Sequence, residues 1–359
     1  MEKENGFYWG QHVEAEKACL ELLDDCRRKN TVLARFEQKL IRQTSSRMLD
    51  WVDHLLVRDS RQIREKLAAL GFIRQPDTRL EALFHPVALL PRIVLAGRSS
   101  GPDSGVAIRV ESIADFLQVN GIRAEIEGGP FSPYRRASAS TEGGAALLIV
   151  ERRGTRDYEP VYTKDAYLRA YLKGMEAWQN RPRTGDNEDR TFGEIFRIAD
   201  RLVIQLGPDL AAHIVCRAER TYWLSRNFAA RMQQGRQDTL GLGWGNHDHH
   251  TFRSSRKNFS KLVALFSRLG FRNRERFYAG AEAGWGAQVM ENPVSGLTLF
   301  LDVDLAPEEV ATDFTREELR ERDQLGTVGL WCALHGDSIL QAGMHHVAAQ
   351  FEFERLIQD

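Results

Sequence analysis

Apolar residues recur every third or fourth position through "HVEAEKACLELLDDCRRKNTVLARFEQKLI" (residues 12–41), with charges on the other faces. That spacing predicts amphipathic helices. "SSRMLDWVDHLLVRD" (45–59) reads as a further helix with a serine available as N-cap. A composite pattern then recurs. "LAALGFIRQ", "LQVNGIRAEIE" and "FSRLGFRNRERF" each place Gly71, Gly121 or Gly270 just past an apolar helix and just before a strand. Glycine enters the left-handed conformation at a helix end with least steric cost.

Two of these copies extend into the same order of elements. "GVAIRVES", "IADFLQVNG", "IRAEIEGG", "YRRASAS" and "GAALLIVERR" read as βαβββ. "NHDHHTFRSS", "KNFSKLVALFSRLG", "FRNRERFYAG", "GWGAQVME" and "GLTLFLDVDL" repeat it. The predicted architecture is therefore α+β. It has an N-terminal helical region over 1–80 and a first βαβββ-like module over 81–160. A helical insertion follows over 161–240, then a second module with C-terminal strands over 241–359. The C-terminal strands are the apolar "GTVGLWCALHG" and "SILQAGMHHVAAQF", and "FEFERLIQD" reads as the start of a helix in a further βα unit.

Charge narrows the partners. Among 359 residues, Lys+Arg is 49 and Asp+Glu is 50, a formal net charge of -1. A generic polyanion binder carries a basic excess, so no nucleic-acid partner is expected. No apolar run approaches the ~18 residues that span a bilayer, so no membrane partner is expected either. Cys19, Cys26, Cys216 and Cys332 form no CxxC pair, and "MEKENGFYWG" lacks the regions of a signal peptide. A cytoplasmic protein with a small-molecule substrate is the expectation. Nothing in the pattern fixes an oligomeric state.

The candidate chemistry lies in "GLGWGNHDHHTFRSSRKNF" (241–259). On a strand, His247, His249, Thr251 and Arg253 share one face, with Asp248, His250 and Phe252 on the other. His247 and His249 are about 6.6 Å apart along the strand, so both imidazoles can reach one ion. Neutral imidazole suits iron, zinc, copper and nickel. The other reading is a hydrogen-bonded polar turn. A second histidine pair, His345 and His346, faces opposite sides of its strand, so only one can join a common metal. His85, before a proline, is a further candidate. Glu291 closes an apolar strand and is the leading carboxylate, ahead of Glu282. Asp302 and Asp304 share a face opposite the apolar Leu301, Val303 and Leu305, which makes them either ligands or a solvated face. GxGxxG, the P-loop pattern and GxSxG are all missing from the sequence.

Paired βαβββ modules with a histidine on a first strand resemble the vicinal oxygen chelate superfamily. Within it, "NHDHHTFRSSRKNFSKLVALFSRLGF" is most similar to the 2-oxoadipate dioxygenase/decarboxylases, also called hydroxyglutarate synthases. The resemblance covers mainly residues 65–160 and 240–305. It implies curved sheets forming a cup around a divalent metal, Fe(II), held by two histidines and a glutamate. It also implies oxidative decarboxylation of a small 2-oxo acid. His249 matches the family's strand histidine. Arg253 matches an arginine that binds the substrate carboxylate, with Arg256 as fallback. Matching "FEFERL" favours His345 as second ligand, and His85 is the positional alternative. On the first choice the family's glutamate would follow beyond the chain given. That departure leaves a second reading open: a non-catalytic small-molecule-binding or scaffold protein with the same cup.

Overall fold

The computed structural model describes residues 11–76, 78–97, 101–184, 187–245 and 249–346. Helices α1 (Val13–Lys29) and α2 (Thr31–Thr44) come first. Asn30 joins them and caps α2 by accepting from the Leu33 amide. The segment 45–59 is not a helix. A short 3₁₀ turn (Met48–Trp51) leads into strand β1 (Val52–Arg58). The reason is burial: β1 is covered on both faces, so its apolar run lacks the alternation that marks a half-exposed strand.

From β1 the chain runs through α3 (Arg61–Ala69), β2 (Ile73–Arg74), β3 (Ala82–Phe84) and β4 (Arg92–Ala96). A second pass gives β5 (Ser104–Arg109), α4 (Ile113–Val119), β6 (Ile126–Glu127), β7 (Tyr134–Glu142) and β8 (Ala145–Arg152). Together they form one eight-stranded sheet in the order β2-β3-β4-β1-β5-β8-β7-β6. In each pass the first strand pairs in parallel with the last, β1 with β4 and β5 with β8. The two passes meet at the antiparallel β1–β5 pair. The first sheet is thus itself a pair of βαβββ modules, one more than the sequence revealed.

Helices α5 (Asp165–Gln179), α6 (Glu188–Leu206), α7 (Pro208–Arg226) and α8 (Phe228–Asp238) follow β8 in the chain. The third module follows: β9 (His249–Arg253), α9 (Phe259–Arg268), β10 (Arg272–Tyr278), β11 (Trp285–Asn292) and β12 (Leu297–Asp304). "GTVGLWCALHG" is a helix, α10 (Thr327–His335), not a strand. "SILQA" is a π-helical turn, and only β13 (His345–His346) is extended. The second sheet has the order β10-β11-β12-β9-β13. β13 meets β9 antiparallel, as β1 meets β5.

One core packs α1–α4 against Leu55, Val57, Ile93, Val106, Ile108, Leu147 and Ile149 of the first sheet. The other packs α5–α7 and α9 against Phe252, Met290, Leu299, Leu301 and Val303 of the second. Each sheet therefore turns one face to helices, which leaves the opposite face for other contacts. Gly71, Gly121 and Gly270 all take positive φ at the helix ends where the pattern placed them.

Candidate functional site

β9 lies between β12 and β13, and its register sorts the candidate residues. His249 pairs with Thr298, and Thr298 pairs with Glu291 on β11. Directly paired residues share a sheet face, so these three form one row. His345 pairs with Thr251, two residues on from His249 and on the same face. Arg253 pairs with Asp302. The register thus brings His249, His345, Glu291 and Arg253 to one face, opposite the helix-packed Phe252 and Leu301. His250 and His346 occupy paired positions on the other face. His247 and Asp248 lie outside the described residues, as does the tail 347–359.

The Arg253 end of this face is the best defined. The Arg253 backbone amide donates to Ser338 Oγ at 2.9 Å. Its guanidinium carbon lies 5.0 Å from the centre of the Trp331 ring on α10. Buried Arg253 Nε meets no hydrogen-bond acceptor among the described residues. Asp302 is 7% exposed. Burial pushes its carboxyl up to about 7, with Arg253 pulling the other way. The two groups sense each other without closing an ion pair.

Asp302 and Asp304 are therefore not a solvated face. α10 covers both, and Asp304 caps that helix, accepting from the amides of Gly326 (2.7 Å), Val328 (2.9 Å) and Gly329 (2.9 Å). Asp337 fixes the following turn, accepting from the Ser255 amide at 3.0 Å and Asn258 Nδ2 at 2.9 Å.

Three sequence candidates sit elsewhere or are committed. Arg256, the fallback, donates to Glu309 Oε2 at 2.9 Å and to the Asp304 carbonyl at 2.8 Å, so it braces the acidic connector. His85 follows β3 in the first sheet. Its Nδ1 accepts from the Ala88 amide at 3.0 Å, and its ring lies 4.3 Å from that of His12. Burial lowers its pKa, with His12 adding to the effect. Glu282 is exposed in the turn before β11. Glu291 stays on the candidate face and pairs with Arg274 at 3.2 Å.

A divalent metal can be tested against this arrangement. Among the described residues no three His, Cys, Asp or Glu side chains converge on one point. The register nevertheless sets two histidine positions on adjacent strands and a carboxylate two strands from His249. That second spacing is about 10 Å between backbones, which two ligands can bridge over Thr298. Two nitrogens and one oxygen are a donor set suited to Fe(II).

His54 escaped the sequence reading. It sits on β1, 2% exposed, with Nδ1 2.8 Å from Asp53 Oδ2. A bulge in the β1–β5 pairing lets these neighbours meet. Asp53 also takes two hydrogen bonds from Arg152, at 2.8 and 2.7 Å. The signal was present: "DHLLVR" and "HHTFR" share a histidine four residues before an arginine, His54–Arg58 and His249–Arg253.

Paired βαβββ modules, each first strand parallel to its last, define a fold of the vicinal-oxygen-chelate type. No protein family and no curated protein matches the chain significantly by sequence. Solved structures similar to it include glyoxalase I from Zea mays, at 11% identity over 75% of this chain and 72% of that one. A glutamate-to-glutamine mutant of the same enzyme matches at 12% identity over 75% and 72%. A valine-to-glutamate mutant matches at 11% over 71% and 67%. The TM-score is 0.23 in all three, too low to carry an argument, so the fold assignment rests on strand order and connections.

Proposed function

We propose that the concave face of the second sheet is the active site of a metal-dependent dioxygenase/decarboxylase acting on a small 2-oxo acid. The observation that carries this reading is Arg253. Its side chain stacks on Trp331 and closes no ion pair among the described residues, and its position shares a face with those of His249, His345 and Glu291. A planar guanidinium in that state is built to take a carboxylate through two hydrogen bonds. Asp302 strengthens the case. A carboxyl held near neutrality leaves the arginine to an incoming acid and can hold or release a proton at its own oxygen.

His249 and His345 would hold the metal, with Glu291 as the carboxylate once it leaves Arg274, and His247, outside the described residues, the further candidate from the sequence. Fe(II), when bound, supplies Lewis acidity and electrons for oxidative decarboxylation. Arg253 would orient the substrate by its distal carboxylate, α10 would keep bulk water from that end, and Asp302 would manage the proton.

The test has two parts. Anaerobically purified protein should hold about one divalent metal per chain by elemental analysis, and His249→Ala should lose most of it. Iron-loaded protein should consume oxygen with a 2-oxo diacid, and Arg253→Lys should keep its metal yet lose turnover of diacids far more than of monoacids. Full metal content in His249→Ala removes the ligand assignment, and equal diacid turnover in Arg253→Lys removes the arginine.

A second reading is a small-molecule-binding protein without chemistry. The Glu291–Arg274 pair favours it, because it occupies the carboxylate. Acid binding that depends on Arg253, with neither metal nor oxygen uptake, would establish it.

A further inference from the structure

Buried arginines in this protein are almost always matched to a carboxylate. Arg152 binds Asp53, Arg153 and Arg135 share Glu151, and Arg181 and Arg183 share Glu219. Arg256 binds Glu309. Two arginines of the first sheet break the rule. Arg92 on β4 and Arg109 on β5 flank β1 on its concave face, where His54 pairs with Arg92 on one side and Ala107 on the other. Among the described residues Arg92 donates only to the Pro293 carbonyl, at 3.0 Å. Arg109 makes no hydrogen bond or ion pair among the described residues. It extends toward the β11–β12 turn, where a Cβ placed on Gly296 would sit 3.7 Å from its Nη1.

The nearby acids are already used. Asp53 is held by Arg152 and His54, and Glu111 accepts from Arg220 at 2.9 Å and from the Trp244 amide at 3.1 Å. Beside Arg109 lies a cavity of about 50 Å³ between the first sheet and α7, lined also by Arg153, His213, Arg217 and two carboxylates, Glu111 and Glu151, the latter held by Arg135 and Arg153. His213 Nε2 is buried there without a hydrogen-bond partner among the described residues. Burial pushes the Arg109 guanidinium down to about 10, Asp53 opposes that shift, and Arg152, Arg92 and Arg220 add to it. Arg109 is half-buried; a cation partly withdrawn from water without a counter-charge is costly, and an unpaired buried nitrogen beside it adds to the cost. Neither contributes to stability, so both point to a missing anion.

We infer that the cleft between the first sheet and α7 binds a small oxyanion, a carboxylate or a phosphate, gripped by Arg109 with His213 Nε2 as a second contact. The cavity has room for about three or four waters, which is the scale of one such group. Arg92 adds positive potential from across β1. This site stands on its own observations and does not depend on the metal reading of the second sheet.

The test is thermal unfolding and calorimetry on the full chain with sodium phosphate and with succinate, against sodium chloride at matched ionic strength. One of the two anions should raise the melting temperature saturably beyond the chloride control. Tighter phosphate binding assigns a phosphorylated ligand, and tighter succinate binding assigns an organic acid. Arg109→Met should weaken binding about 10- to 100-fold, the loss expected for a charge-assisted pair. Without anion this variant should melt at or above wild type, because it removes an unpaired charge. Arg109→Lys provides a folded comparison that keeps the charge and loses the fork. The site is overturned by an equal anion response in wild type and both variants, or by no saturable response in wild type.

Discussion

The two sheets share one plan, yet their concave faces carry different chemistry. Strands β1 and β9, one in each sheet, present a histidine followed four residues later by an arginine. In the first sheet His54 is locked to Asp53, Asp53 is locked to Arg152, and Arg58 leaves the face to pair with exposed Asp103. In the second sheet Arg253 stays inside, covered by α10, with Asp302 beside it and neither group closed into a pair. The first face is saturated around its acid and left with surplus cations at Arg92 and Arg109. The second keeps an acid and a base that are both unspent. Identical spacing therefore does not set a residue's role. What covers the face, and which counter-charges come with the cover, decides it.

The sharpest way to break this comparison is to remove a member of each pair. Asp53→Ala leaves Arg152 buried without a carboxylate, keeping its bonds to the Thr155 and Asp157 carbonyls, and unfolding by denaturant should show a loss of about 3–5 kcal/mol. Arg253→Met, which strands no partner, should cost on the order of 1 kcal/mol, the scale of its contact with the indole. Equal losses would mean that the second face is as saturated as the first.

Asp302 sharpens the contrast through pH. Its folded carboxyl titrates at about 7 against an ordinary 3.8. Between those values the folded state keeps a proton that the unfolded chain has lost. Stability from this site is therefore greatest in acid, falls as pH rises through that window and levels off above it. The fall is on the order of 2–4 kcal/mol. Asp302→Asn should unfold later than wild type at pH 8 and nearly with it at pH 4, by urea titration. A parallel pH dependence in both proteins would show that Asp302 is not the group responsible.

The smallest effect is expected at His85. Its ring accepts one amide hydrogen bond and packs beside His12, remote from the second sheet. His85→Ala should cost roughly 1 kcal/mol and leave metal content unchanged. Loss of metal in this variant would return His85 to the ligand set and join the two faces into one site.

Much of the fold was legible in the chain. The βαβββ order of residues 105–152 and 249–304 follows from alternating strands, a periodic helix and a glycine at each helix end. β1 was not legible, because a strand buried on both faces looks like any apolar run. Nor was α10, whose apolar stretch resembles a strand until Asp304 caps it. In the site, the face shared by His249 and Arg253 was readable from a period of two. The pairing of Arg256 with Glu309 was not, since they are brought together only by the connector that follows β12.

Local periodicity and end signals are properties of neighbouring residues, so the sequence by itself determined two of the three modules, their order and the histidine–arginine strand β9. Burial, counter-charges and shared faces are properties of residues far apart in the chain. Only the tertiary structure decided that Asp302 is sheltered and raised, that Arg253 lies against Trp331, and that the acids lining the cavity beside Arg109 are paired with other arginines. Electrostatic energy depends on distance and on the exclusion of water, and both are set only when the sheets and helices close over one another.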